Sequence, residues 1–200
     1  MRLDYFIILT TILGISLTLC ETLAHYTRIP GPILRKVVHV AMCMIIVASC
    51  LFFDFHLFIA IGLTFFVLMI ISRKFYRWRS LADRADSSYG EILFPLGIAI
   101  SAMLADTVNS FIISMIILGL SDTIAYIIGK NISSPKIIFN KTIGGSSACL
   151  VTSFIIFIIS DISPAFLFAC AITFVELISP YGSENLFLPI VTVMLLRLTI

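Results

Sequence analysis

Charge is scarce in this chain: lysine, arginine, aspartate and glutamate together make up 12% of its 200 residues, about half the share usual in a soluble globular domain. With 60% hydrophobic residues and a mean hydropathy of +1.14, no soluble fold of this size could cover its apolar surface. Long polar stretches are missing as well, so the chain reads as one transmembrane domain over residues 1–200 with no water-soluble partner. Short alternating segments are also absent, and their absence excludes a transmembrane β-barrel. The five cysteines (Cys20, Cys43, Cys50, Cys149 and Cys170) have no metal-like spacing and read as small apolar packing residues. No small-residue cleavage site follows the first apolar run, which instead carries Glu21 and His25, so that run reads as a retained helix.

What the chain does have is apolar runs of membrane length. They cover about residues 4–24, 33–53, 56–72, 91–105, 108–129, 143–160, 164–179 and 185–200. About 20 residues at 1.5 Å each cross the 30 Å hydrocarbon core, and lipid leaves backbone polar groups no partner outside a helix. The expected fold class is therefore all-α: a polytopic integral membrane protein of about eight spans, the last two short.

Alternating those spans across a bilayer sorts the basic residues. Arg28, Arg35, Lys36, Arg73, Lys74, Arg77, Arg79, Arg84, Lys130, Lys136 and Lys141 fall on one side, while Arg2 and Arg197 fall on the other. The positive-inside rule makes the first side cytoplasmic and puts both termini outside. Much of the basic run at 72–80 is explained by insertion alone, and membrane lipid headgroups or an anionic substrate could use the same face.

Ionisable groups inside spans are costly and mark functional candidates. Glu21, Arg35, His39, Glu91, Asp122, Lys141, Glu176 and Asn185 all sit at or near the cytoplasmic span ends, so the pattern predicts one inner-leaflet site. In GPILRKVVH (31–39), Pro32 suits a first helical turn and Arg35 and His39 share a face, pairing a cation with a titratable ring. In GLSDTIAYIIGKN (119–131), Asp122, Ala125 and Gly129 share a face whose small residues admit a backbone or a ligand. Asp122 needs a partner there, and a divalent cation on nucleotide phosphates is one. FNKTIGGSSA (139–148) opens a span with Lys141, Thr142, Gly144, Gly145 and Ser146, where amide donors and a helix dipole suit phosphate. It is no Walker loop, because the GxxxxGK order is missing. SSYGEILFP (87–95) places Glu91 ahead of Pro95, and VELISPYGSENLFLP (175–189) brings Glu176, Pro180, Gly182, Glu184 and Asn185 into a tight turn. Each has a plainer use: Arg35 and Lys36 as snorkelling anchors, His39 as a packing residue, Glu176 as the partner of a basic neighbour. Asp54, Asp106 and Asp161 read as solvated external-turn residues.

In this order RKVVH, GEILFP, SDTIAYIIGK, NKTIGGSSA and VELISPYGSENLFLP resemble the CTP-dependent lipid-alcohol kinases, the family of dolichol kinase, phytol kinase and the yeast-type diacylglycerol kinase. The likeness covers residues 31–189. It implies phosphoryl transfer from CTP, with Mg²⁺ or another divalent cation, to a polyprenol-like isoprenoid alcohol or to diacylglycerol. The RKxxH pattern falls on Arg35, Lys36 and His39, the D-x-x-A-x-x-x-G pattern on Asp122, Ala125 and Gly129, and KTxEGS on Lys141, Thr142, Gly145 and Ser146. Ser121 stands where the family usually has glycine, Gly144 where it has an acid, and Glu184 where aspartate is more usual. Segment 119–147 is also similar to the phosphatidate cytidylyltransferases, so CDP-lipid synthesis is the alternative. The non-enzymatic one is a small transporter or lipid-binding protein. Nucleic acid is not an expected partner.

The roles expected from these residues follow phosphoryl-transfer chemistry, which is mostly positioning and charge neutralisation. Asp122 and Glu176 would hold the metal. Lys141, Thr142, Gly144, Gly145 and Ser146, with Arg35, Lys36 and Lys130, would hold phosphate. His39 or Glu91 would act as the base at the lipid hydroxyl, with Gly129 and Asn185 as further site residues.

Overall fold

The computed structural model describes residues 3–26, 30–75 and 88–199; Arg2, Arg28, Arg77, Arg79 and Arg84, counted above for topology, lie outside the described residues. Those residues are helical throughout, with short connections and no strand. Helices α1 (Leu3–Tyr26), α2 (Gly31–Ser49), α3 (Phe55–Phe75) and α4 (Gly90–Leu104) form the first half. Helices α5 (Val108–Asn131), α6 (Ile143–Ile159), α7 (Ala165–Ile178) and α8 (Glu184–Arg197) form the second. Of these α1, α2, α3 and α5 are long and apolar enough to cross a membrane, which is compatible with an integral membrane protein. The others have only 15, 17, 14 and 14 residues, or about 21–26 Å at 1.5 Å per residue. Length alone therefore supports four spans where the sequence led us to expect eight.

Helix α5 is the centre of the bundle: 61% of its apolar window is buried, against 22%, 33% and 28% for α1, α2 and α3. Helices α3 and α4 pack as one close pair and α6 and α7 as another, with α8 against α4 and α5. Gly62 allows the first pairing, since a Cβ there would stand 2.7 Å from the Pro95 carbonyl and 2.9 Å from Ala99. On α1 the buried side chains Leu9, Leu13 and Leu17 recur every four residues and face α2 and α3. Its other faces expose Ile8, Ile12, Ile15 and Leu19, the all-round apolarity of a helix that meets lipid. Arg197 and Asp106 pair at 2.6 Å, tying the end of α8 to the α4–α5 turn; the sequence had left Asp106 as a solvated turn residue.

Two irregularities position the polar residues. Helix α5 is α-helical over Val108–Ile116, opens into a π-turn at Ile117–Ser121 and closes again at Asp122. Such turns widen the helix and loosen its carbonyl ladder. The second is the turn before α8, where Gly182 has φ of +87° and a Cβ would fall 2.6 Å from the Gly90 amide nitrogen. With Tyr89 N–H donating to the Tyr181 carbonyl (2.8 Å) and Asn185 Nδ2 to the Gly90 carbonyl (3.0 Å), this turn is clamped to the start of α4. Gly182→Ala should therefore cost at least 1–2 kcal/mol, roughly the left-handed penalty alone, and lower the melting temperature measured in detergent; an unchanged melt would show that the clamp yields.

Candidate functional site

The expected residues gather where the N-termini of α2, α4, α6 and α8 and the second half of α5 come together. Lys36 and Asp122 form a buried ion pair, with 6% and 3% of their surfaces exposed. His39, one turn beyond Lys36, brings Nε2 to 3.6 Å from the same carboxylate and 3.1 Å from the Leu118 carbonyl. That carbonyl belongs to the π-turn and can only accept, so Nε2 carries the proton and the ring is fixed. The Lys36 ammonium also lies 5.3 Å from the Tyr126 ring. In the usual glycine position before the aspartate, Ser121 is fully buried and its hydroxyl receives that of Ser153 at 3.0 Å.

A second pair lies beside the first. Lys141 donates to Glu176 at 2.6 Å and approaches Glu184 at 3.9 Å, while Ser146 Oγ reaches the other Glu176 oxygen at 3.5 Å. Burial alone would lower the Lys141 pKa, but Glu184, Glu176 and Asp122 outweigh it and hold it above the ordinary lysine value. Its contribution to stability is thus complete below that ordinary value and lost as pH rises through the raised one. An alkaline unfolding titration should show this loss and Lys141→Met should lack it; identical titrations would remove the pair from the account.

Several expectations are corrected by this geometry. The amides of Gly144 and Gly145 are not free donors: the first donates to Ser134 Oγ at 3.0 Å, the second to the capping Thr142 Oγ1 at 3.2 Å. Gly129 and Gly145 serve close helix packing, since a Cβ on Gly129 would stand 3.3 Å from the Gly145 Cα. Small residues here admit a backbone, not a ligand. Lys130 is exposed and lies 5.7 Å from the Tyr126 ring, outside the buried cluster. Asp122 and Glu176 are each neutralised by a lysine, and among the described residues no three His, Cys, Asp or Glu side chains come together to hold a metal. To hold a divalent cation on nucleotide phosphates, either carboxylate would first have to leave its lysine.

Arg35, His39, Glu91 and Asn185 form the polar end of a cavity that the sequence did not reveal. Beyond them its wall is apolar: Leu9, Leu13 and Leu17 from α1, Met42 and Ile46 from α2, Phe58, Ile61 and Phe65 from α3, and Phe94 and Ile98 from α4. The space it encloses is narrow, about 90 Å³, and open at its mouth. At the polar end Glu91 is held by Arg73, whose guanidinium donates to Oε1 at 2.7 Å and to the Ser88 carbonyl at 3.0 Å and stacks on Tyr89 at 4.5 Å. Arg35 reaches Ser88 Oγ at 3.5 Å. The other carboxylate oxygen, Glu91 Oε2, is buried and has no hydrogen-bond partner among the described residues. Buried orphan acceptors are rare because each carries a desolvation cost; Oε2 is covered here, and a donor in the cavity that Glu91 lines would reach it by a turn of the carboxylate. Arg73 was assigned only a topological role from sequence; nothing in its spacing points to Glu91.

Comparison with known proteins yields no matching family model, no matching curated protein and no matching solved structure. The residues and their geometry therefore carry the functional reading.

Proposed function

We propose that the protein phosphorylates a membrane lipid alcohol, with CTP as the phosphoryl donor. The observation that carries this is Glu91, which lines the polar end of an apolar cavity and whose Oε2 has no partner among the described residues, near a buried and a part-buried lysine–carboxylate pair. An apolar tail in the cavity leaves one polar group at its head, and a hydroxyl can donate to Oε2. A phosphate acceptor cannot, and it would meet the negative charge of Glu91. That chemistry favours an alcohol over the phosphatidate-like acceptor of a cytidylyltransferase. The choice of CTP rests on the resemblance to the lipid-alcohol kinases.

In this reading Glu91 orients the hydroxyl and receives its proton as the oxygen attacks the terminal phosphorus. The bond from that phosphorus to the bridging oxygen breaks, and the nucleoside diphosphate leaves with the electron pair. Arg35, Lys36 and Lys141 supply positive charge for the phosphates, the lysines by exchanging carboxylate partners for phosphate oxygens. His39, locked on the Leu118 carbonyl, sits between cavity and cluster and positions the acceptor. No step is routed through a metal. All eight helices cross the bilayer in this proposal, the short ones by local thinning and anchoring residues, and the polar end faces the cytoplasm.

The test is label fate. Purified protein with γ-labelled and α-labelled CTP and a panel running from a primary alcohol of about ten carbons through phytol, geranylgeraniol, undecaprenol, dolichol and diacylglycerol should place γ-label in at least one lipid and none of the α-label. Incorporation of α-label would mean cytidylyl transfer. Label in neither product, with lipids still bound, would favour a lipid-binding protein.

A further inference from the structure

The cavity has a closed end, and its depth is legible from the helices that line it. Glu91 and Ile98 on α4, like His39 and Ile46 on α2, are seven residues apart, which is about 10 Å of helix axis; Leu17 to Leu9 on α1 is about 12 Å, and Met69 to Phe58 on α3 about 16 Å. At the far end Phe58 closes the space, 1% exposed, its ring 5.2 Å from that of Phe111, which is itself fully buried and meets Phe55 at 6.0 Å. This aromatic stack is held by the capped start of α5, where Thr107 and Ser110 bond reciprocally. A tail advancing from Glu91 therefore meets a rigid wall of rings, not a flexible aliphatic gap.

We infer that Phe58 sets the length of the acceptor's tail, so that the site takes a primary alcohol carrying a single chain of about ten carbons in extended form. An all-trans chain advances about 1.3 Å per carbon, given C–C bonds near 1.5 Å, and about eight to twelve carbons span the roughly 10–16 Å over which the lining residues run. A shorter chain leaves apolar wall uncovered. A longer one must fold back or pull its hydroxyl away from Oε2. Diacylglycerol, with two chains, and dolichol, many times longer, are poor matches for this space. The inference deepens the lipid-alcohol proposal and rests on it.

Straight-chain primary alcohols of graded length, each supplied at the same mole fraction in lipid nanodiscs, separate the possibilities, with occupancy read by native mass spectrometry. Wild-type occupancy should peak near ten carbons and fall about tenfold for chains several carbons longer, the cost of forcing extra methylenes into a packed site. Phe58→Ala should move the peak toward longer chains by about the depth of one ring. Leu13→Phe should move it toward shorter ones; α1 packs chiefly on α2 and α3, so an added ring there is accommodated without disturbing the α4–α5–α8 core. A peak that stays in place in both variants, or occupancy that rises without a break in the wild type, overturns the role of Phe58 while leaving the lipid-alcohol reading intact. If no alcohol of any length occupies the protein, both fall together.

Discussion

Asp122→Asn is expected to cost about 3–5 kcal/mol of stability, because it leaves the Lys36 ammonium buried without its counter-charge, and to abolish phosphoryl transfer, because Asp122 holds Lys36 in place for the phosphates. The two effects separate in a second variant. Replacing the pair together, Lys36→Met with Asp122→Leu, removes both charges from a site where each residue is less than a tenth exposed. Exchange of a whole buried pair for apolar groups is often neutral or stabilising. The double variant should therefore melt near the wild-type temperature and still transfer no label. Melting in detergent and a γ-label assay decide it. Transfer at the wild-type rate in the double variant would reduce the pair to packing.

Glu91→Gln carries the second large effect. The amide oxygen can still accept from Arg73, whose bond to Oε1 is 2.7 Å, so the start of α4 keeps its anchor and the lost charge pairing should cost only about 1 kcal/mol. What is lost is the acceptor at Oε2, replaced by an NH₂ that can only donate. The expected result is a fall in kcat of about 10²–10⁴-fold, the usual worth of general base catalysis, with the melt only slightly lowered. A kcat within a few-fold of wild type would transfer the role to His39, the other base the sequence offered.

The limits of sequence reading here are physical. Apolar runs showed the helices because lipid and protein interiors reject charge in the same way. They did not settle how many cross the membrane, since α4, α6, α7 and α8 are apolar yet short. Arg35 and His39 at four-residue spacing do line one cavity, as helical periodicity requires. Lys36, one position away, turns toward α5 and finds Asp122, a partner 86 residues distant that no local pattern could name. Glu176 was open to a metal or a basic neighbour, and the fold provides the neighbour, Lys141. The small residues around 129 and 145 were open to a backbone or a ligand because helix packing and ligand binding call for the same residues, and the fold provides the backbone. The cavity left no trace at all, because Leu13, Ile46 and Phe58 are ordinary residues for a membrane helix and only their convergence makes a void.

That cavity carries the central claim, and one measurement meets it directly. A primary alcohol of about ten carbons, with a photoreactive diazirine at its methyl end, is added to the protein in nanodiscs, irradiated, and the modified residues are read by peptide mass spectrometry. Labelling is expected at Leu9, Ile46, Phe58 and Ile98, the buried far end of the cavity, and it should be lost when unlabelled alcohol competes. Labelling confined to exposed apolar residues such as Ile12, Val67 and Ile155, unchanged by competitor, would contradict the account.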